Sequence, residues 1–142
     1  MARFYAQLCT LLFVALAVGG VFLGDASHVV NGQANGNLGS IQLHLTYVRD
    51  ALDVVLVAAL IWIGFLAPRH AGRWAMGAVG AFLLILGIAG FVVGDTDAGG
   101  RAIAGLHFPT AMNILDTVVG VLGLLAALGT VEDELPASII RG

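Results

Sequence analysis

Seven residues, Tyr47-Val48-Arg49-Asp50-Ala51-Leu52-Asp53, place one cation and two carboxylates at the head of a long apolar run. A later stretch answers it: Thr110-Ala111-Met112-Asn113-Ile114-Leu115-Asp116. Both read polar-x-x-Asp, and both lead into unbroken apolar sequence. Ionisable side chains within membrane helices are costly, so they normally face a protein interior and often mark function. Spacings of three and four put Asp53 on one helix face with Asp50 and Arg49. Arg49 is therefore placed to neutralise one carboxylate within its own helix, and the remaining acid needs a donor or a proton. Asn113 and Asp116 share a face of the later helix. If the two helices pack side by side, Arg49, Asp50, Asp53, Asn113 and Asp116 form one buried polar cluster in the outer half of the membrane. Its chemistry is that of a proton relay or cation site, or of a hydrogen-bonded clasp that fixes helix register.

His44 and His107 stand shortly before these two helix entries, at similar places. Neutral imidazoles are good axial ligands for haem or for bacteriochlorophyll magnesium. Interfacial hydrogen bonding is the plainer role, and no cofactor is expected. His28 and His70 read as solvated. Asp95-Thr96-Asp97-Ala98-Gly99-Gly100 is similar to the start of a calcium loop but lacks the closing bidentate Glu, so a solvated turn is expected. There is no phosphate loop, no Gly-x-Ser-x-Gly elbow and no nucleophile with an evident base. The expectation is a protein that is not an enzyme.

The elements that must position these groups are membrane helices. The 142 residues are 59% hydrophobic and only 11% charged, with a mean hydropathy of +0.98. A soluble domain carries about a quarter charged residues. Four apolar runs are each near the roughly 20 residues that a helix needs to span the bilayer core. The expected spans are 3–24, 41–67, 74–94 and 109–130, one domain over 1–142. Arg3 precedes the first run, which reads as a retained helix rather than a signal peptide. Pro68 to Arg73 reads as a tight turn, and residues 25–40 and 95–108 as longer loops. Net charge is −3 without any Lys, which gives no basic patch for nucleic acid. The single Cys9 excludes an intrachain disulfide. The absence of Lys and the abundance of Gly point to a GC-rich prokaryotic genome, and so to its inner or plasma membrane.

Arg3, Arg69, Arg73 and Arg141 fall on one side of this layout and only Arg101 on the other. By the positive-inside rule both termini are then cytoplasmic. Gly20-Val21-Phe22-Leu23-Gly24-Asp25 closes the first span and Gly90-Phe91-Val92-Val93-Gly94-Asp95 the third. Each is followed by a polar loop and a polar-x-x-Asp entry. This predicts an all-α four-helix bundle built of two helical hairpins in parallel pseudo-repeat, related by an axis along the membrane normal. Gly80, Gly87 and Gly94 on the third span, and Gly120, Gly123 and Ala127 on the fourth, predict close packing of those two helices.

The stretches 47–60 and 110–127 resemble a four-helix membrane family, domain of unknown function 4383. That family has a His-Asn-x-x-His-like entry to its second helix and an Asp-Asn-x-Leu-His-like entry to its fourth. Ala111 to Gly120 is similar to the latter, with Met112 and Asp116 in place of Asp and His. Arg49 to Asp53 lies where the former would be, with both His positions changed. The resemblance implies the four-helix layout and no activity, and the family's histidine roles do not transfer to Asp53 or Asp116.

Three functions are compatible with these residues. The first is an accessory or structural subunit that packs in the bilayer against other membrane subunits or against itself. The second is a small proton- or cation-coupled transporter or channel using Asp53 and Asp116. The third is a haem- or pigment-binding subunit using His44 and His107.

Overall fold

The structure is a computed structural model and describes residues 1–23, 29–30, 33–34, 41, 43–94 and 102–130. Four helices carry the fold: α1 (Ala2–Leu23), α2 (Tyr47–Ile61), α3 (Arg69–Val93) and α4 (Thr110–Leu128). A two-residue antiparallel pairing, β1 (Val29–Val30) with β2 (Gln33–Ala34), lies in the loop after α1. Among the described residues three helices are long and apolar enough to cross a membrane, over Ala2–Phe22, Arg69–Val93 and Thr110–Leu128. Their outer faces carry large exposed apolar side chains, among them Phe22, Ile85, Val92 and Leu125. Apolar surface of that extent is foreign to a water-soluble monomer.

The second helix is shorter and later than its apolar run suggests. Thr46 ends the extended entry (φ −86°, ψ 159°), and its hydroxyl accepts from the Arg49 N–H at 3.2 Å. That is an N-cap bond, which satisfies a donor the first turn would otherwise leave orphaned. Residues 43–46 are therefore not helical, although a start at Ile41 was expected. At its far end α2 continues into a π-helical turn, Trp62–Leu66, closed by Ala67 N–H to Trp62 O at 2.7 Å. Gln7 of α1 reaches into this wider turn and donates to Gly64 O at 3.1 Å.

The connection from α2 to α3 is tighter than the expected Pro68–Arg73 turn. Ala67 is extended (φ −64°, ψ 142°) because the Pro68 ring disfavours helix for the residue before it. Pro68 itself is the N-cap, and α3 is already helical at Arg69. Proline is tolerated there since the first turn has no acceptor for its missing N–H. Gly94 closes α3 at φ 93°, a left-handed conformation that favours glycine.

α1 packs along α2, and α3 along α4. The α3–α4 contact is made backbone to backbone. A Cβ added at Gly80 would lie 2.8 Å from Leu124 N, one at Gly87 2.7 Å from Asn113 O, and one at Gly120 2.4 Å from Leu84 N. Gly123 sits against Gly80 and the Met76 side chain. Of the small residues expected to line this contact, Gly94 instead serves as the helix cap. Phe13, Leu60, Ile63, Met76 and Leu83 fill the apolar core. The Tyr5 hydroxyl crosses from α1 to donate to Val119 O of α4 at 2.9 Å.

The expected Asp95–Gly100 turn, Arg101, Arg141, His28 and the acidic stretch Glu132–Glu134 lie outside the described residues.

Candidate functional site

The polar entries of α2 and α4 meet. Asp53 and Asp116 each lie six residues past the first residue of their helix, roughly 9 Å along it at 1.5 Å per residue. Between them stands Arg49. Its guanidinium holds Asp116 by two parallel bonds, Nη1 to Oδ2 at 2.7 Å and Nη2 to Oδ1 at 2.8 Å. This bidentate fork is the strong form of the pair, and only Arg can make it. Arg49 Nε also lies 3.0 Å from Asp53 Oδ1, one helical turn on. The two groups form a buried ion pair, although Nε makes no hydrogen bond of good geometry among the described residues. The sequence placed Arg49 to neutralise a carboxylate of its own helix, and the ion pair to Asp53 is there; the two fork hydrogen bonds across to Asp116 of α4 come in addition.

Burial makes this arrangement consequential. Arg49 is 3% exposed, Asp116 2% and Asp53 0%. Neither carboxyl oxygen of Asp53 has a hydrogen-bond partner among the described residues, and the same holds for Asp50 Oδ1. A buried charge without pairing and hydrogen bonds is among the costliest features a protein can hold. One guanidinium cannot neutralise the carboxylates of Asp50, Asp53 and Asp116 together. Charge balance at this site therefore has room for a further cation. No group of three or more His, Cys, Asp or Glu is gathered closely enough to hold a metal ion among the described residues. A proton needs no such cage.

Asp50 and Asn113 do not join the Arg49 network in the way their helix faces suggested. Each is seated on a glycine of the preceding helix. The Asp50 carboxylate occupies the space where a Cβ on Gly20 would stand, 1.7 Å from its Oδ1. Asn113 does the same on Gly90, at 2.0 Å from its Oδ1. The Asn113 amide then donates to Phe108 O at 3.1 Å, tying the start of α4 to the incoming loop. Thr117 donates to Asn113 O at 2.7 Å. Gly20 and Gly90 were legible as a pair in the repeat; what that pairing missed was that each makes room for a polar side chain.

His44 and His107 are brought together as well. Their Nδ1 atoms are 3.1 Å apart and the rings meet edge to face, with centroids 5.3 Å apart. One Nδ1 must donate and the other accept, so the bond fixes complementary tautomers. An iron or magnesium ion could not enter between these two atoms without breaking it. His44 is buried and holds a left-handed backbone at φ 47°, uncommon for a residue with a side chain. A turn at 103–106, closed between Ile103 and Leu106, positions His107 and packs Gly105 on Val48 of α2.

Residues 63 apart in sequence thus occupy like places: His44 and His107, Asp50 and Asn113, Asp53 and Asp116. Met112 stands where this spacing would put a second Arg49.

Compared with known proteins, the chain matches no family model, no curated protein and no solved structure.

Proposed function

We propose that this chain is a small multi-pass protein of a prokaryotic cell membrane that handles protons at Asp53, as a proton-coupled transporter or channel. The observation that carries the reading is the fully buried Asp53 carboxyl, in ion-pair contact with Arg49 Nε but with no hydrogen-bond partner among the described residues, while the fork of that guanidinium is committed to Asp116. A purely structural clasp has every member satisfied, because a half-satisfied buried network is worse than an apolar core. An Asp53 that takes up and gives off a proton makes sense of the missing donors. Arg49 lies between two carboxyls at equivalent places and is the natural element to shift its charge from one to the other.

In this reading the chain forms a four-helix bundle of two hairpins in pseudo-repeat, with both termini cytoplasmic. The pairing of Gly20 with Asp50 and of Gly90 with Asn113 supports the repeat. The alternation of Arg residues supports the orientation.

A second reading, an accessory or structural subunit, is favoured by the closed bidentate Arg49–Asp116 fork. The glycine-lined faces of α3 and α4 are turned toward each other and are used within the chain.

The test is reconstitution into liposomes with an entrapped pH dye. An imposed pH gradient should collapse faster than in protein-free vesicles, and Asp53→Asn should remove the difference. Wild-type vesicles no leakier than empty ones would return the weight to the structural subunit.

A further inference from the structure

The opposite end of the molecule, away from the Asp–Arg cluster, gathers three guanidinium groups. Arg3 at the start of α1 and Arg69 and Arg73 at the start of α3 line one pocket of about 270 Å³, with Met1, Ala2 and Thr130. The fold holds them there. Arg3 donates to Ala67 O in the α2–α3 connection. Arg73 Nε donates to Ala127 O near the end of α4 at 3.1 Å. Ala2 N–H donates to the Thr130 hydroxyl at 2.9 Å, closing the floor. Among the described residues no acid lines the pocket.

A second depression shares Arg73 with the first. It is a groove of about 460 Å³ between α3 and α4, lined beyond Arg73 by Trp74, Gly77, Ala78, Leu124 and Leu128. Apart from Arg73 and the Trp74 indole N–H, its lining side chains are apolar. The small residues Gly77 and Ala78 make the groove, because they leave the flank of α4 uncovered. Arg73 stands where the charged pocket opens into the apolar groove, its guanidinium carbon 6.0 Å from the centre of the Trp74 ring.

A basic head joined to an apolar slot at a helix end is complementary to one kind of molecule. We propose that Arg3, Arg69 and Arg73 bind the phosphate of an anionic phospholipid whose acyl chain lies in the α3–α4 groove along Trp74. Basic pockets between membrane helices on the cytoplasmic side recognise such headgroups, and the cytoplasmic leaflet is rich in anionic lipid. Arg is suited to it because the planar fork meets phosphate oxygens in pairs. The site is separate from Asp53 and stands whether or not that group carries protons; it rests on the chain lying in a membrane with this end at the cytoplasmic leaflet. The natural rival is internal. Glu132, Asp133 and Glu134 follow shortly after Thr130 and would compete for the same guanidinium groups.

Trp62 and Trp74 are the only tryptophans, so Trp62→Phe leaves Trp74 as a single reporter in the groove. This protein is reconstituted in phosphatidylcholine with rising fractions of phosphatidylglycerol or phosphatidylcholine brominated high on the acyl chain. Brominated phosphatidylglycerol should quench Trp74 at about one tenth of the fraction needed for brominated phosphatidylcholine, since each guanidinium adds attraction for the anionic head. Adding Arg69→Gln, at an exposed position, should shrink that preference several-fold, while Arg69→Lys should keep most of it. Equal quenching by the two lipids overturns the proposal. So does loss of the preference on adding millimolar inorganic phosphate, which would make this a site for the free ion. A preference that emerges only after Glu132→Gln, Asp133→Asn and Glu134→Gln together would assign the pocket to the chain's own acidic segment, and also overturns it.

Discussion

Gly120→Ala tests the packing that holds the site, and its size can be worked from the helix contact. The new methyl would meet Leu84 N at 2.4 Å, Gly80 O at 2.8 Å and Leu84 Cα at 2.9 Å, all backbone. Ordinary contact begins at 3.4 Å, so relieving the closest approach demands about 1.0 Å of separation between α3 and α4. No side chain can rotate away to relieve it. Overpacking of this kind costs about 1–3 kcal/mol. The higher helix propensity of Ala returns about 1 kcal/mol, which leaves a net loss of up to about 2 kcal/mol. Gly77→Ala is the matched control on the same pair of helices. Its methyl would find only Ala127 Cβ, at an ordinary 3.6 Å, so it should be neutral or stabilising by up to about 1 kcal/mol. Reversible unfolding in mixed micelles, followed by far-UV circular dichroism, separates the two. Equal stability of the variants would refute the backbone contact at Gly120.

Arg49→Met should destabilise the fold by about 3–5 kcal/mol, because it leaves buried carboxylates without their cation; adding Asp53→Asn and Asp116→Asn should recover most of the loss in the same unfolding assay. Arg49→Lys should recover little, since an ammonium cannot reproduce the two parallel bonds to Asp116. Gly90→Ala should cost about 1–3 kcal/mol by evicting the Asn113 amide, and Asn113→Ala in the same chain should relieve it, a coupling that a double-mutant cycle reads directly. His107→Phe should alter the resonances of His44 in nitrogen-detected NMR through loss of the Nδ1 bond; an unchanged His44 spectrum would count against the pair.

The sequence revealed the helices because the apolar runs are long and the charges few. It was least informative at helix ends. The Thr46 cap, the extended Ala67 forced by Pro68 and the π-helical turn at 62–66 are local backbone effects that an apolar run does not signal. The site was legible as a list of residues and as a repeat, since His44, Asp50 and Asp53 have counterparts in His107, Asn113 and Asp116. Its wiring was not. Helical spacing made Asp53 the obvious partner for Arg49, and only the proximity of α4 offers the guanidinium the better geometry of Asp116. The glycines show the same limit. Gly80 and Gly120 read correctly as close-packing residues, but nothing in a stretch of Gly and Val announces that Gly20 and Gly90 accommodate an Asp and an Asn. Arg3, Arg69 and Arg73 spoke only of orientation until the fold brought them to one pocket.

The proposed function turns on Asp53 exchanging a proton. Infrared difference spectra between two pH values, recorded on the reconstituted protein and on Asp53→Asn, observe that carboxyl directly. A pH-dependent carboxylic-acid carbonyl band is expected in the wild type and should be missing from Asp53→Asn. A difference spectrum that Asp53→Asn leaves unchanged would mean that Asp53 never changes its charge, and the proton-handling function would fall.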